Sequence, residues 1–307
     1  ILYVMTLAFM HHPLGMLTDS LAIGYVKHHP YAAFGEFRVW GSVGWALGNI
    51  VMGRFLLTQP LSVTFQVGAI FYGITWLAVW LFQDKRYSAS PRRFVAAELK
   101  TLFVNSRMLL FLLLLMLYGI GISPLYIFLN LYFRDIGANA QTIGLAFAIA
   151  AFSEVPFFFV ADQMVKRFSA RTVLPISMAA AVLRLVLYGL ISNPLPALIV
   201  GLGSGFTYSL FWVAIVDIMH EWIPEKWRST AQSLLWAVHV GSGVTIGNMS
   251  IGALSDHYHM QQVMLMASAV SALVLIGMTV YFQKFSTQQH AAVEGEIIEL
   301  PHVIAEE

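Results

Sequence analysis

Glu154 and Arg184 each interrupt a long apolar run, and they are the residues of this chain best placed to do chemistry. Glu154 stands midway along 141–165 and Arg184 midway along 171–191, with a turn expected near residue 168. Read as antiparallel helices, they lie 14 and 16 residues from that turn, so at 1.5 Å per residue their depths differ by about 3 Å. A carboxylate and a guanidinium at one depth on adjacent helices can pair across a cavity. Ionisable groups inside a membrane are costly and are functional candidates for that reason. Burial favours a neutral carboxyl and a nearby guanidinium favours its ionised form, and a site that carries protons must balance the two. The alternative is a purely structural buried ion pair. Asp19 and Arg38 form a second pair, 12 and 7 residues from the middle of a hairpin near residue 31, a depth gap of about 7.5 Å. That pair could also be a gate or an anchor at the membrane interface. Asp217 and Arg228 read as a gate or helix end on the cytoplasmic side.

The elements that must hold these charges are membrane helices. Hydrophobic residues make up 58% of the chain and charged residues 11%, against roughly 25% charged in soluble domains. Spans are expected near 1–26, 36–58, 62–82, 108–133, 141–165, 171–191, 194–219, 230–254 and 260–283, since about 18 apolar residues suffice to cross a bilayer as a helix. The chain has no cysteine, which excludes disulfides, thiol catalysis and thiolate metal sites. A net charge of +1 carries no sign of nucleic-acid binding. His11 and His12 face different sides of a helix and make a poor metal site, and no cofactor is expected.

Charge placement orients the spans. With loops assigned alternately to two sides, Arg54 and Arg134 fall on one side and Arg184 inside a span; the other Lys and Arg residues fall on the opposite side. That basic side is expected to be cytoplasmic and to carry the C-terminus. Nine spans then put Ile1 outside, within an apolar helix and with no signal peptide before it. The expectation is a sequence lacking an odd number of N-terminal helices. The polar stretch 83–107 separates three spans from six. The two parts echo each other: Gly41-Ser42-Val43-Gly44 is matched by Gly241-Ser242-Gly243-Val244, and Asp19 by Asp217, at an offset of about 200 residues. Parallel repeats of about six helices are a transporter signature, so three helices are expected to be missing. Glycines four apart, Gly44 with Gly48 and Gly243 with Gly247, allow close helix approach. Pro13, Pro124, Pro156 and Pro175 are expected to kink or break their spans.

The string from Phe34 to Leu47, with Arg38-Val39-Trp40-Gly41-Ser42 at its centre, resembles the fifth helix of the major facilitator superfamily. The branch it resembles holds lactose permease, nucleoside symporters and phenylpropionate permeases. Pro13 through Asp19, and Arg228 to Gln232 opening the eleventh helix, agree with it. Asp162 through Arg171 looks like a degenerate copy of the superfamily's acidic–basic cytoplasmic loop signature, which makes Asp162 a gating candidate. The resemblance covers 1–284 as family helices four to twelve. It implies an all-α integral membrane protein of the major facilitator fold, with nine of twelve helices present. The expected parts are 1–82, half of a first bundle; 83–107, a cytoplasmic linker; 108–284, a six-helix bundle; and 285–307, an acidic, disordered or weakly helical cytoplasmic tail.

The resemblance also implies roles. Arg38 matches a sugar-binding arginine of lactose permease, with Asp19 near its carboxylate partner. Trp45 matches the residue that stacks on the substrate ring, an aromatic face suited to sugars, nucleobases or phenyl groups. Glu154 and Arg184 look like charged positions of that permease's cavity. Its tenth helix also carries a His and a Glu, which the matching stretch here, about Leu202 to Phe206, lacks. Ser42, Asn130, Trp236 and His239 are further substrate-binding candidates, and Trp212 and Asn248 possible cavity liners. The expected function is secondary active transport, a proton-coupled symport of an aromatic acid, sugar or nucleoside by a monomer in the plasma (inner) membrane. The partners are the solute, protons and the lipid bilayer. A drug-type proton antiporter is the first alternative, although Gly44 to Asn49 lacks the proline of such exporters' signature. A transport-inactive membrane sensor is the second. The spans carry no His-Glu-x-x-His, paired aspartates or Gly-x-Ser-x-Gly, so an enzyme is not expected.

Overall fold

A computed structural model describes the backbone of residues 34–81, 106–223 and 228–298, with side chains for 40–78, 80–81, 106–223 and 232–284. The described residues are helical throughout, without a strand. The first expected span, 1–26, and the 83–107 linker lie outside them, apart from residues 106 and 107, which open α3. Two helices come first, α1 (Phe34–Phe55) and α2 (Val63–Leu81). Six spans long and apolar enough to cross a membrane follow, over Ser106–Asp135, Ala140–Phe168, Ala170–Leu190, Pro194–Trp222, Gln232–Ser255 and Met260–Lys284.

Three of these six spans are not continuous α-helices. The first consists of α3 (Ser106–Ile122), a 3-10 turn (Ser123–Leu125) and α4 (Leu129–Asp135). Pro124, which brings no amide hydrogen to the ladder, stands at the interruption. Pro156 and Pro175, by contrast, lie inside uninterrupted helices, α5 (Ala140–Phe168) and α6 (Ala170–Leu190). The fourth span divides into α7 (Pro194–Gly201) and α8 (Gly203–Trp222). There the Leu202 amide bonds back three residues to Ile199, and a glycine on either side removes any Cβ that would resist the tightening. The fifth contains α9 (Arg228–Leu235), a π-helical stretch (Trp236–Val244) and α10 (Thr245–Ser255). Its wider winding lets Ser242 and Thr245 donate to carbonyls five residues back, Ala237 and Val240. The last helix, α11 (Met260–Ile298), continues past residue 283, so the first half of the 285–307 tail is helical in backbone.

Local chemistry sets the ends. The Asn139 side chain accepts the Thr142 amide and caps α5 at 2.9 Å, and Asn193 caps α7 from the Leu195 amide at 3.0 Å. Between α5 and α6 the chain reverses at Ser169, whose φ of 68° lies in the left-handed region that favours glycine. This is the turn expected near residue 168.

Glycines then let backbones touch. A Cβ on Gly243 would meet the Met116 carbonyl and the Gly119 Cα, and one on Gly247 would meet Ser123 and the Ile120 carbonyl, so the π-helix and α10 lie directly on α3. Among the described residues, none stands within 4 Å of a Cβ built on Gly44 or Gly48. The close approach on α1 is one turn further along, at Gly53, against Ala140 and Gly144 of α5. Ala46, Ala148 and Ala151 continue that seam as a small buried cluster. The main core lies among α3, α6, α8 and α11, around Phe111, Leu115, Leu174, Met178, Leu210 and Met264. On α2 the large side chains Phe65, Phe71, Trp76 and Trp80 are exposed, which suits contact with lipid.

Candidate functional site

A cavity of about 320 Å³ opens where α1, α3, α5, α6 and α8 converge. Glu154 and Arg184 both line it, and so does Trp45. The two groups expected at one depth therefore share one space. Among the described residues they are the cavity's charged groups.

Arg184 is held on three counts. Its side chain is 7% exposed. One terminal nitrogen donates to Thr207 Oγ1 at 2.6 Å. Its stem packs on Gly203, where an added Cβ would stand 3.1 Å from Arg184 Cδ. The Nε–H is buried and meets no acceptor. Thr207 in turn bonds to the carbonyls of Gly203 and Ser204 at 3.0 and 3.1 Å, which fixes its hydroxyl against the start of α8.

The Glu154 side of the cavity is set by a close crossing of α5 and α8. A Cβ on Gly205 would collide with the backbone oxygen of Ser153 and the ring of Phe157. The Gly205 amide lies in the first turn of α8, where amides need outside acceptors. It donates to Ser153 Oγ at 2.9 Å, and Ser209 Oγ donates to the Glu154 carbonyl at 3.3 Å. These bonds stitch α8 to α5 at Ser153 and at the backbone of Glu154.

Aromatic rings make up part of the rest of the wall: Tyr118, Tyr126, Phe147, Tyr208 and Phe211, with Trp45 at 61% exposure contributing from α1, beside aliphatic side chains such as Ile122, Leu125 and Leu129. His239 stands behind this wall, fully buried, its ring 6.0 Å from Tyr118 and 4.8 Å from Phe211. Its Nδ1 is 3.0 Å from the Leu115 carbonyl. A carbonyl can only accept, so Nδ1 carries the hydrogen. A ring stacked on an aromatic side chain gains about 0.5–1.5 kcal/mol beyond area burial. We expect Trp45→Ala to raise the KM for a ring-bearing solute roughly two- to tenfold with little change in maximal rate, measured as initial uptake.

The other expected site residues lie elsewhere. Asn130 is exposed and its side chain accepts the amide of its own neighbour, Leu131. Trp236 stacks on Trp212 at 4.7 Å. Ser42 and His239 do not line the cavity. Asp162 pairs with Lys166 at 2.6 Å on an exposed helix face, and Asp217 is exposed on α8. Asp19 lies outside the described residues, and Arg38 and Arg228 are described in backbone only. Sequence reasoning missed Thr207, Tyr118, Tyr126 and Tyr208. The signal for Thr207 was a hydroxyl placed among glycines in an apolar span, a partner for a buried arginine.

A family model described as "MFS_1 like family" matches residues 1–266. The chain is similar to the maltose permease of Geobacillus stearothermophilus, 25% identical over 274 residues that cover 88% of this chain and 69% of that protein. It is also similar to a probable 3-phenylpropionic acid transporter of Escherichia coli strain K12, 26% identical over 68% of this chain and 51% of that one. The crystal structure of the nucleoside transporter NupG has the same fold, with a TM-score of 0.75 at 18% identity over 88% of this chain and 73% of that chain. The apolar spans, the central cavity and these similarities converge: the chain belongs to the MFS_1-like family of the major facilitator superfamily, multi-pass membrane transporters of small molecules and not enzymes.

Proposed function

We propose that the protein is a proton-coupled symporter of a small organic solute that works by alternating access. The observation that carries this reading is the shared cavity of Glu154 and Arg184, a protonatable group and a fixed cation on neighbouring helices. Solute binds against Arg184 and the rings of the wall, with Trp45 stacking on it from α1. Glu154 takes up a proton as the solute loads and gives it up on the other side. The α1–α5 seam of Gly53, Gly144, Ala46, Ala148 and Ala151 is the contact about which the halves rock, since small side chains let backbones slide with little interlocking. The maltose permease and the 3-phenylpropionic acid transporter among its relatives support a small organic solute. In this reading the basic loops, the 83–107 linker and the C-terminal tail face the cytoplasm, and the protein works as a monomer. Asp162, Asp217 and Arg228 belong to the gate on that side, and Asp19 and Arg38 supply the binding groups of the first half.

The test is uptake by the full-length protein in vesicles with an inward proton gradient, using labelled 3-phenylpropionate, maltose and a nucleoside. Wild type is expected to concentrate one of them, while Glu154→Gln only equilibrates it and still exchanges labelled for unlabelled solute. Undiminished accumulation by Glu154→Gln would make Glu154 structural and remove the coupling site.

A further inference from the structure

Behind the cavity wall, Trp212 of α8 and His239 of the π-helical stretch hold two polar atoms that no bond satisfies. Trp212 is 8% exposed and His239 fully buried. The Leu115 carbonyl fixes the His239 hydrogen on Nδ1, so Nε2 is an acceptor, and it is buried without a partner. The Trp212 Nε1–H can only donate, and it too is buried without a partner. An unmade buried donor or acceptor costs about 1–3 kcal/mol. The two atoms complement each other, and their rings stand 5.8 Å apart at 86°. At that separation the bond lacks aim more than reach.

His239 cannot supply the aim by turning its ring alone. Nδ1 is tied to Leu115 at 3.0 Å, Phe211 packs on the ring at 4.8 Å, and Tyr118 stacks on it at 6.0 Å. Trp212 is held as well, stacked on Trp236 at 4.7 Å. What remains to move is the backbone that carries His239. Over Trp236–Val244 it is π-helical, with bonds that reach five residues back instead of four, a rare winding that recurs at functional sites. Rewinding as α-helix puts fewer residues in each turn and more rise on each residue, which turns His239 about the span axis relative to Trp236. On the facing helix, α3, glycine leaves room for that turn. A Cβ on Gly119 would meet the His239 carbonyl, and one on Gly243 would meet the Met116 carbonyl and the Gly119 Cα. Glycine against glycine offers the motion no interlocking side chain.

We propose that the fifth span switches winding over Trp236–Val244 as the transporter changes state, and that a hydrogen bond from Trp212 Nε1 to His239 Nε2, unmade here, closes in the rewound state. That bond satisfies both orphaned atoms at once and offsets the loss of the His239–Leu115 bond. Phe211 and Tyr118 pack on His239 and line the cavity, so the turn reshapes the wall from behind. Two conformations are all that this takes from the alternating-access reading; neither a proton on Glu154 nor the identity of the solute enters it.

The test uses the full-length protein in lipid nanodiscs with 15N-labelled tryptophan and glycine, the Trp212 indole signal being the one absent from Trp212→Phe. Saturation-transfer exchange on that signal is expected to show a second state, populated at roughly 0.1–10%, whose indole proton is shifted downfield by a hydrogen bond. The backbone amides of Gly241 and Gly243 should exchange at the same rate and population, because the winding changes around them. His239→Asn keeps an amide N–H in the place of Nδ1 and has no acceptor in the place of Nε2, so it should lower the downfield state at least tenfold. His239→Gln carries its amide oxygen to the place of Nε2 and loses the Leu115 bond, so it should keep that state and raise it roughly three- to tenfold. Three results would overturn the inference: no second state of the Trp212 indole, a downfield state that survives in His239→Asn, or glycine amides that do not exchange with the indole. If Glu154→Gln accumulates solute fully, the coupling site is lost and these signals stand unchanged.

Discussion

Replacing Arg184 by glutamine is expected to abolish uptake and to lower the protein's stability, and replacing Glu154 at the same time is expected to restore the stability alone. Arg184 is buried, bonded to Thr207, and shares its cavity with Glu154. Removing the buried guanidinium leaves the half-buried Glu154 carboxylate in the same cavity without its cation, at less than the roughly 3–5 kcal/mol of a fully buried pair, whereas removing both can be close to neutral. Arg184→Gln should therefore lose several degrees of melting temperature and fall at least a hundredfold in uptake at limiting solute. The double variant Glu154→Gln with Arg184→Gln should melt within a few degrees of wild type and remain inactive. Additive losses of stability in the double variant would mean that the two groups do not share a site energetically. Recovered accumulation would mean that neither carries solute or proton.

The second large effect is at Gly205. A side chain there meets the backbone oxygen of Ser153, which cannot swing aside, and the ring of Phe157. Overpacking a close crossing costs about 1–3 kcal/mol even where side chains can yield, and here the obstacle is main chain. Gly205→Leu should part α8 from α5, lose the Gly205–Ser153 bond and abolish the monodisperse peak in fluorescence-detected size exclusion. Gly203→Ala, two residues away, should behave differently. Its neighbour is the flexible stem of Arg184, 3.1 Å from the added carbon. That variant should assemble normally and change uptake several-fold, because it moves the guanidinium and not the backbone. If Gly205→Leu assembles like wild type, the crossing is looser than the geometry requires. If Gly203→Ala leaves uptake unchanged, the position of Arg184 is not what the break before α8 controls.

Much of this was readable in the sequence because lipid punishes charge. Glu154 and Arg184 stood out as costly exceptions in apolar runs, and counting residues to a turn near 168 was enough to place them together. The six spans of 108–284 followed from length and hydropathy for the same reason. What escaped was whatever a membrane tolerates cheaply. Tyr118, Tyr126 and Tyr208 look like any aromatic core residues, and only the convergence of α3 and α8 turns them into a wall. The winding of Trp236–Val244 leaves no periodic trace in nine residues. Gly44 and Gly48 have the spacing of a contact, yet among the described residues the close approach on α1 is at Gly53, because spacing states which residues share a face and not which part of that face meets a neighbour. Pro124 ended a helix and Pro156 did not, which proline alone does not decide.

We propose that solute and proton cross together through Glu154. It is tested most directly by recording external pH while solute is added to weakly buffered vesicles containing the full-length protein. The account predicts prompt external alkalinisation with wild type, and none with Glu154→Gln even though that variant still exchanges labelled solute. Solute entry without alkalinisation in wild type, or undiminished alkalinisation in Glu154→Gln, would contradict it.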